Sequence, residues 1–166
     1  MKYFAYGSNL CTNRLRERVP SATFCQKAIL YGFTLKFHKR SIDGSAKCNA
    51  FYTGNNTDEV HGVIFDIDEE EKQDLDKAEG RGRGYDQITI KVNTNGGVEE
   101  VFTYVANTKA IDDSLQPYSW YKDLVLSGAK EHSLHKAYIR RLELVQARQD
   151  PNKSRNDKQR RLILNS

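Results

Sequence analysis

The chain has little of what marks membrane, secreted or metal-dependent proteins. Its 166 residues include three cysteines, three prolines, one tryptophan and one methionine. Cys11, Cys25 and Cys48 are odd in number, widely spaced and form no CxxC pair, and the four histidines (His38, His61, His132, His135) form no HExxH. These absences argue against a disulfide framework and a structural zinc site. They point to three free thiols in a reducing cytoplasm. No apolar run approaches the ~20 residues a bilayer-spanning helix needs. The opening residues 1–7 contain no apolar h-region, so no secretory leader is predicted. P-loop, Ser-His-Asp spacing, metal-ligand cluster, repeat and low-complexity segment are all missing, so the expected chemistry runs without a cofactor or metal. Cys11 has no visible base beside it and is a poor candidate nucleophile.

What is present is an ordinary globular composition, 38% hydrophobic and 29% charged, which supports a packed core rather than disorder. The net charge of +4 is unevenly placed. Residues 147–166 hold six basic and two acidic residues, a surplus that accounts for the whole charge, so residues 1–146 carry twenty of each sign. The body thus lacks the electrostatic footprint of a nucleic-acid-binding domain. One domain is expected over 1–148, followed by a basic tail, 149–166, that reads as a solvated end.

Residues 2–6 read as a buried strand broken by Gly7-Ser8-Asn9, with a short helix over 12–18 stopped by Pro20. Further strands are expected over 28–37, 49–53, 60–67, 85–92 and 98–106, the last two joined by a hairpin turn through Asn93-Thr94-Asn95-Gly96-Gly97. Helices are expected over 68–79, 118–126 and 134–148, with Ser127-Gly128 separating the last two. Strands do not alternate strictly with helices, so the class is α+β rather than a Rossmann arrangement.

Four groups are candidates for chemistry. Tyr6-Gly7-Ser8-Asn9-Leu10 places a strand-to-helix turn where backbone N–H groups can meet an anion, although a plain capping turn accounts for the same residues. In the acidic run 66–79, most carboxylates suit a helix start, but Glu79 lies four residues after Leu75, the helix's only large apolar residue. It therefore falls on the buried face just before Gly80, which suits a left-handed helix stop. Desolvation there would fit a carboxyl group for general acid–base work; an exposed glutamate at a frayed end is the alternative. Gly80-Arg81-Gly82-Arg83-Gly84 opens a strand rather than a helix, so it is no phosphate loop and reads as a loop covering Glu79. Tyr104, Tyr118, Trp120 and Tyr121 form an aromatic group that packs the core or closes a pocket.

These segments together carry a resemblance. Tyr3-Phe4-Ala5-Tyr6-Gly7-Ser8-Asn9-Leu10 resembles the signature opening of the γ-glutamylcyclotransferase family, AIG2-like relatives included. Segments Pro20-Ser21-Ala22, 58–63, Leu75 through Gly80, Pro117-Tyr118 and Ser127-Gly128-Ala129-Lys130-Glu131 resemble that family's segments in the same order. The resemblance spans residues 2–143. It implies a small mixed β-barrel of about six strands flanked by helices. The implied reaction turns the γ-glutamyl group of a γ-glutamyl amino acid into 5-oxoproline and releases the free amino acid. Glu79 would be the general acid/base. The turn Gly7-Ser8-Asn9-Leu10 would hold the glutamyl moiety, with Tyr6 and Tyr104 lining the pocket and Tyr118 covering it. Asn9 stands where the glutathione-specific branch usually has leucine, which favours the branch acting on γ-glutamyl amino acids. The resemblance permits a homodimer. Arg81 and Arg83 make the loop more basic than a neutral pocket requires and suggest a substrate with a second carboxylate. Two other readings stay open: a γ-glutamylamine cyclotransferase or maturation enzyme for another γ-glutamyl compound, and a non-catalytic small-molecule-binding module with nucleic acid on the tail.

Overall fold

The computed structural model describes residues 1–164. Seven strands and five α-helices follow one another as β1 (Lys2–Ala5), α1 (Thr12–Arg16), β2 (Thr23–Tyr31), β3 (Phe33–Arg40), β4 (Ala46–Tyr52), β5 (Glu59–Asp66), α2 (Lys72–Glu79), β6 (Tyr85–Thr94), β7 (Gly97–Ala106), α3 (Ser119–Glu131), α4 (Lys136–Glu143) and α5 (Lys153–Leu164). Five strands close a barrel in the order β1-β5-β2-β6-β7. Every pairing is antiparallel except the closing one, where β1 and β7 run parallel with Tyr3 opposite Phe102. The mixed α+β barrel expected from the resemblance is the architecture observed.

The strand count differs for a local reason. The apolar stretch 28–37 is continuous in sequence, yet Gly32 adopts φ +80° and splits it into β2 and β3. Residues other than glycine enter that region only at a cost, so the chain turns there. β3 then pairs with β4 as a separate two-stranded sheet outside the barrel.

The core fills the barrel and the space beneath α3. Phe4, Ile64, Phe65, Leu75, Leu124 and Val125 are all fully buried. Ser127-Gly128 does not end a helix: α3 runs through both residues to Glu131. A Cβ at Gly128 would lie 2.2 Å from the Leu10 carbonyl carbon and 2.3 Å from the Cys11 nitrogen. The glycine therefore lets the α3 backbone rest directly on the 3-10 turn Ser8–Leu10, outweighing its poor helix propensity. α3 is thus longer than expected, whereas the helix expected over 134–148 is the shorter α4, ending at Glu143.

The polar tail also differs from its reading as a solvated end. It forms α5, which packs on α3 and α1. Arg160 pairs with Asp123 of α3 at 2.8 Å, and Asn13 Nδ2 of α1 donates to the Leu162 carbonyl. At the start of the segment, Asp150 receives a two-pronged ion pair from Arg155 and the indole N–H of Trp120 at 2.8 Å. These polar bonds join an apolar contact, since Leu162 and Ile163 at the end of α5 pack against the core.

Candidate active site

β1 ends at Ala5, and the chain passes through Tyr6 and Gly7 into the 3-10 turn Ser8–Leu10. Gly7 does not use a left-handed conformation, since its φ is −105°. Its smallness serves packing instead: a Cβ would sit 3.1 Å from Cys48 Cβ. Leu10 N–H donates to the Gly7 carbonyl, and Cys11 N–H to the Ser8 carbonyl. The N–H groups of Ser8 and Asn9 open the turn and so have no partner within it.

α2 brings Glu79 to this turn. Leu75 is fully buried and anchors the helix. Asp76 accepts from the Tyr104 hydroxyl of β7 at 2.6 Å, from Arg81 at 2.9 Å and from Lys72. Burial alone would raise the Asp76 pKa; these donors outweigh it and hold the group below its usual range. The helix stops where Gly80 adopts φ +66°, ψ +44°, the left-handed stop expected from the sequence.

Glu79 is not alone against an apolar wall. Its Oε1 accepts from Arg18 Nη1 at 2.6 Å and Asn9 Nδ2 at 3.0 Å. Arg18 Nη1 also donates to Asn9 Oδ1 at 2.8 Å, and Asn9 Nδ2 donates to the Tyr3 hydroxyl at 2.9 Å. Asn9, Arg18 and Glu79 thus form a closed triangle, its ion pair largely covered, with the Glu79 side chain 15% and that of Arg18 19% exposed. Both bonds fall on Oε1; Oε2 has no hydrogen-bond partner among the described residues.

The turn, Glu79 and a ring of tyrosines line a narrow recess of about 30 Å³. Tyr6, Gly7, Ser8, Asn9, Tyr104 and Glu79 meet there as the sequence suggests, joined by Tyr3, Tyr85, Tyr121 and Cys48. Two sequence-chosen residues stand elsewhere. Leu10 is fully buried behind the turn, against Gly128. Tyr118 is buried with its hydroxyl donating to the Asp43 carbonyl at 2.9 Å and does not line the recess. Arg18 was not singled out from sequence, and nothing local marks it; its partners are nine and sixty-one residues away.

Protonation narrows the chemistry. Burial drives the Tyr3, Tyr6, Tyr85, Tyr104 and Tyr121 phenols well above their usual range, so they are neutral hydrogen-bonding groups at physiological pH. Burial likewise pushes the Cys48 thiol up to about 12, far from thiolate reactivity. Among the described residues, Glu79 is the only carboxylate lining the recess, and no histidine does.

Residues 59–142 match the model of the AIG2-like family. Over 148 residues the chain is 36% identical to a γ-glutamylcyclotransferase of Mus musculus, covering 87% of this chain and 78% of that protein. The chain belongs to the γ-glutamylcyclotransferase/AIG2-like family. A γ-glutamylcyclotransferase of Homo sapiens is 34% identical over the same shares. A solved structure named gamma-glutamyl cyclotransferase superposes with a TM-score of 0.86 at 29% identity, covering 99% of this chain and 98% of that one. The curated relatives are enzymes by name, and membership of this enzyme family implies a small-molecule substrate. Among the described residues of this member, no helix is long and apolar enough to cross a membrane.

Proposed function

We propose that the protein is a γ-glutamylcyclotransferase acting on γ-glutamyl amino acids, with Glu79 as its acid–base residue. The observation that carries this reading is the single carboxylate of the recess, held by Arg18 and Asn9 through one oxygen beside the Ser8–Asn9 turn. The nucleophile is the substrate's own α-amine, so the site needs no activated serine or cysteine. Ser8 and Asn9 N–H groups meet the substrate's α-carboxylate and fold the γ-glutamyl chain so that its ends approach. Such orientation contributes on the order of 7–11 kcal/mol at best. Glu79 Oε2 takes one proton from the α-ammonium as the amine nitrogen bonds to the γ-carbonyl carbon. The protonated carboxyl then gives that proton to the leaving nitrogen as the original amide C–N bond breaks. The products are 5-oxoproline and the free amino acid. Once bonded to carbon, the attacking nitrogen sheds its second proton by the same route through Glu79, so the leaving amine departs as an ammonium, the lactam nitrogen keeps one hydrogen and Glu79 returns to its carboxylate form. Arg18 is a positioning residue.

Three cysteines without a disulfide, two of them buried, suit a reducing compartment, and we place the reaction in the cytoplasm. The test is 5-oxoproline release from a panel of γ-glutamyl amino acids, glutathione and ε-(γ-glutamyl)-lysine. Turnover is expected, fastest on a γ-glutamyl amino acid. Silence across the panel from folded protein overturns the reading, and preference for the lysine isopeptide moves it to the amine branch.

A further inference from the structure

The recess opens into a larger vestibule of about 620 Å³ that shares Ser8, Glu79, Tyr85 and Tyr121 with it. Among the described residues, eight basic side chains line this vestibule and only two acidic ones, Asp43 and Glu79. Those two are already matched, Glu79 by Arg18 and Asp43 by Lys47. Lys77 and Arg155 have carboxylate partners outside, Asp74 and Asp150. The other four, Arg14, Lys39, Arg40 and Arg83, have no carboxylate partner among the described residues.

Their settings show that the surplus is built in. Arg14 Nε is buried without a hydrogen-bond partner among the described residues. Burial first, and the Arg18 charge second, bring the Arg14 guanidinium down to about 10. Lys47 falls to about 8, through burial and, despite its Asp43 partner, the charges of Arg14 and Lys39. Lys39 lies 4.7 Å over the Tyr85 ring, and Gly84 makes room for it: a Cβ there would fall 2.7 Å from its ammonium. α5 contributes Arg155 and Gln159 to the wall. A concave site with crowded like charges and low-dielectric walls concentrates anions.

We infer that the vestibule selects γ-glutamyl compounds whose leaving amino acid carries a second carboxylate, an acidic side chain beyond the α-carboxylate. This rests on the proposed cyclotransferase activity. In that pose the substrate's glutamyl carboxylate lies at the Ser8–Asn9 turn. The leaving residue's α-carboxylate answers one of the four unmatched cations, and a side-chain carboxylate answers another. Lys39 and Arg83, on β3 and on the loop after Glu79, are the residues assigned to it.

The experiment compares kcat/KM for γ-glutamyl-glutamate and its isostere γ-glutamyl-glutamine, at low and at about 0.3 M salt. Roughly tenfold preference for the acid at low salt is expected, as for one partly screened charge pair, shrinking at high salt. Arg83→Gln, at an exposed position, and the Lys39→Gln/Arg83→Gln double variant are expected to bring the ratio toward one at low salt. Equal or better use of the amide by the wild type overturns the inference and leaves the cyclotransferase reading standing. A preference that survives both variants overturns the assignment of Lys39 and Arg83. Failure to turn over either dipeptide, with other γ-glutamyl amino acids consumed, also overturns it. Failure on every γ-glutamyl compound removes the activity itself.

Discussion

Gly128→Ala places one methyl group against a backbone that cannot rotate away. The new Cβ would begin 2.2 Å from the Leu10 carbonyl carbon, where carbon atoms pack at about 3.5–4.0 Å. α3 and the Ser8–Leu10 turn must therefore separate by roughly 1 Å. Two effects oppose each other. Alanine gains about 1 kcal/mol of helix propensity over glycine. Overpacking costs about 1–3 kcal/mol, and here the obstacle is main chain, so the upper part of that range applies. The net loss of about 1–2 kcal/mol lowers Tm by roughly 2–8 °C for a chain of this size. Activity suffers more, because the displaced turn carries Ser8 and Asn9. A misplacement of about 1 Å at reacting groups reduces the rate by about a hundredfold. Thermal unfolding and 5-oxoproline release measured side by side test both halves, with Ser127→Ala as the neighbouring control. Wild-type Tm and turnover in Gly128→Ala would refute the claim that this contact sets the turn.

Arg18→Gln removes the charged partner of Glu79 and, with a charge-assisted hydrogen bond contributing about 1.5–3 kcal/mol, lowers kcat about 10- to 100-fold with a smaller change in KM. Arg18→Lys restores a cation and part of the rate; a glutamine variant as active as wild type, or a lysine variant no better than glutamine, would contradict the positioning role. Asp150 is pulled from 3.8 to about 2, chiefly by Arg155. Its folded value lies below its unfolded one, so its contribution to stability is full above about pH 4 and fades as pH falls toward 2. Asp150→Asn is expected to lower Tm by several degrees at pH 7, a gap that narrows at pH 3; a gap independent of pH would contradict the ion-pair account.

What was legible in the sequence depended on short range. Leu75 and Glu79 share a helix face by spacing alone, and Gly80 marks the stop. The turn signal Asn93-Thr94-Asn95-Gly96-Gly97 does join two paired strands, β6 and β7, with Gly97 taking the positive φ of +115°. The features that escaped are set by distant partners. Gly32 reads as one more residue in an apolar run until its φ of +80° is seen. Gly128 looks like a helix break because its reason, the Leu10 backbone, lies far away in the chain. Arg18 follows a short helix with no pattern of its own, and only folding brings it to Glu79. α5 has a polar composition that suits a solvated end, and its docking combines the Arg160–Asp123 pair with the packing of Leu162 and Ile163, partners that periodicity does not reveal.

The central claim is that Glu79 moves the proton in a cyclisation driven by the substrate's own amine. The direct measurement is single-turnover 5-oxoproline release by Glu79→Gln, a near-isosteric change that keeps hydrogen bonds to Arg18 and Asn9 within reach. The expected result is a folded protein, judged by an unchanged circular dichroism spectrum, that binds a γ-glutamyl amino acid and turns it over at least a hundredfold more slowly. Release at the wild-type rate by that folded variant would contradict it.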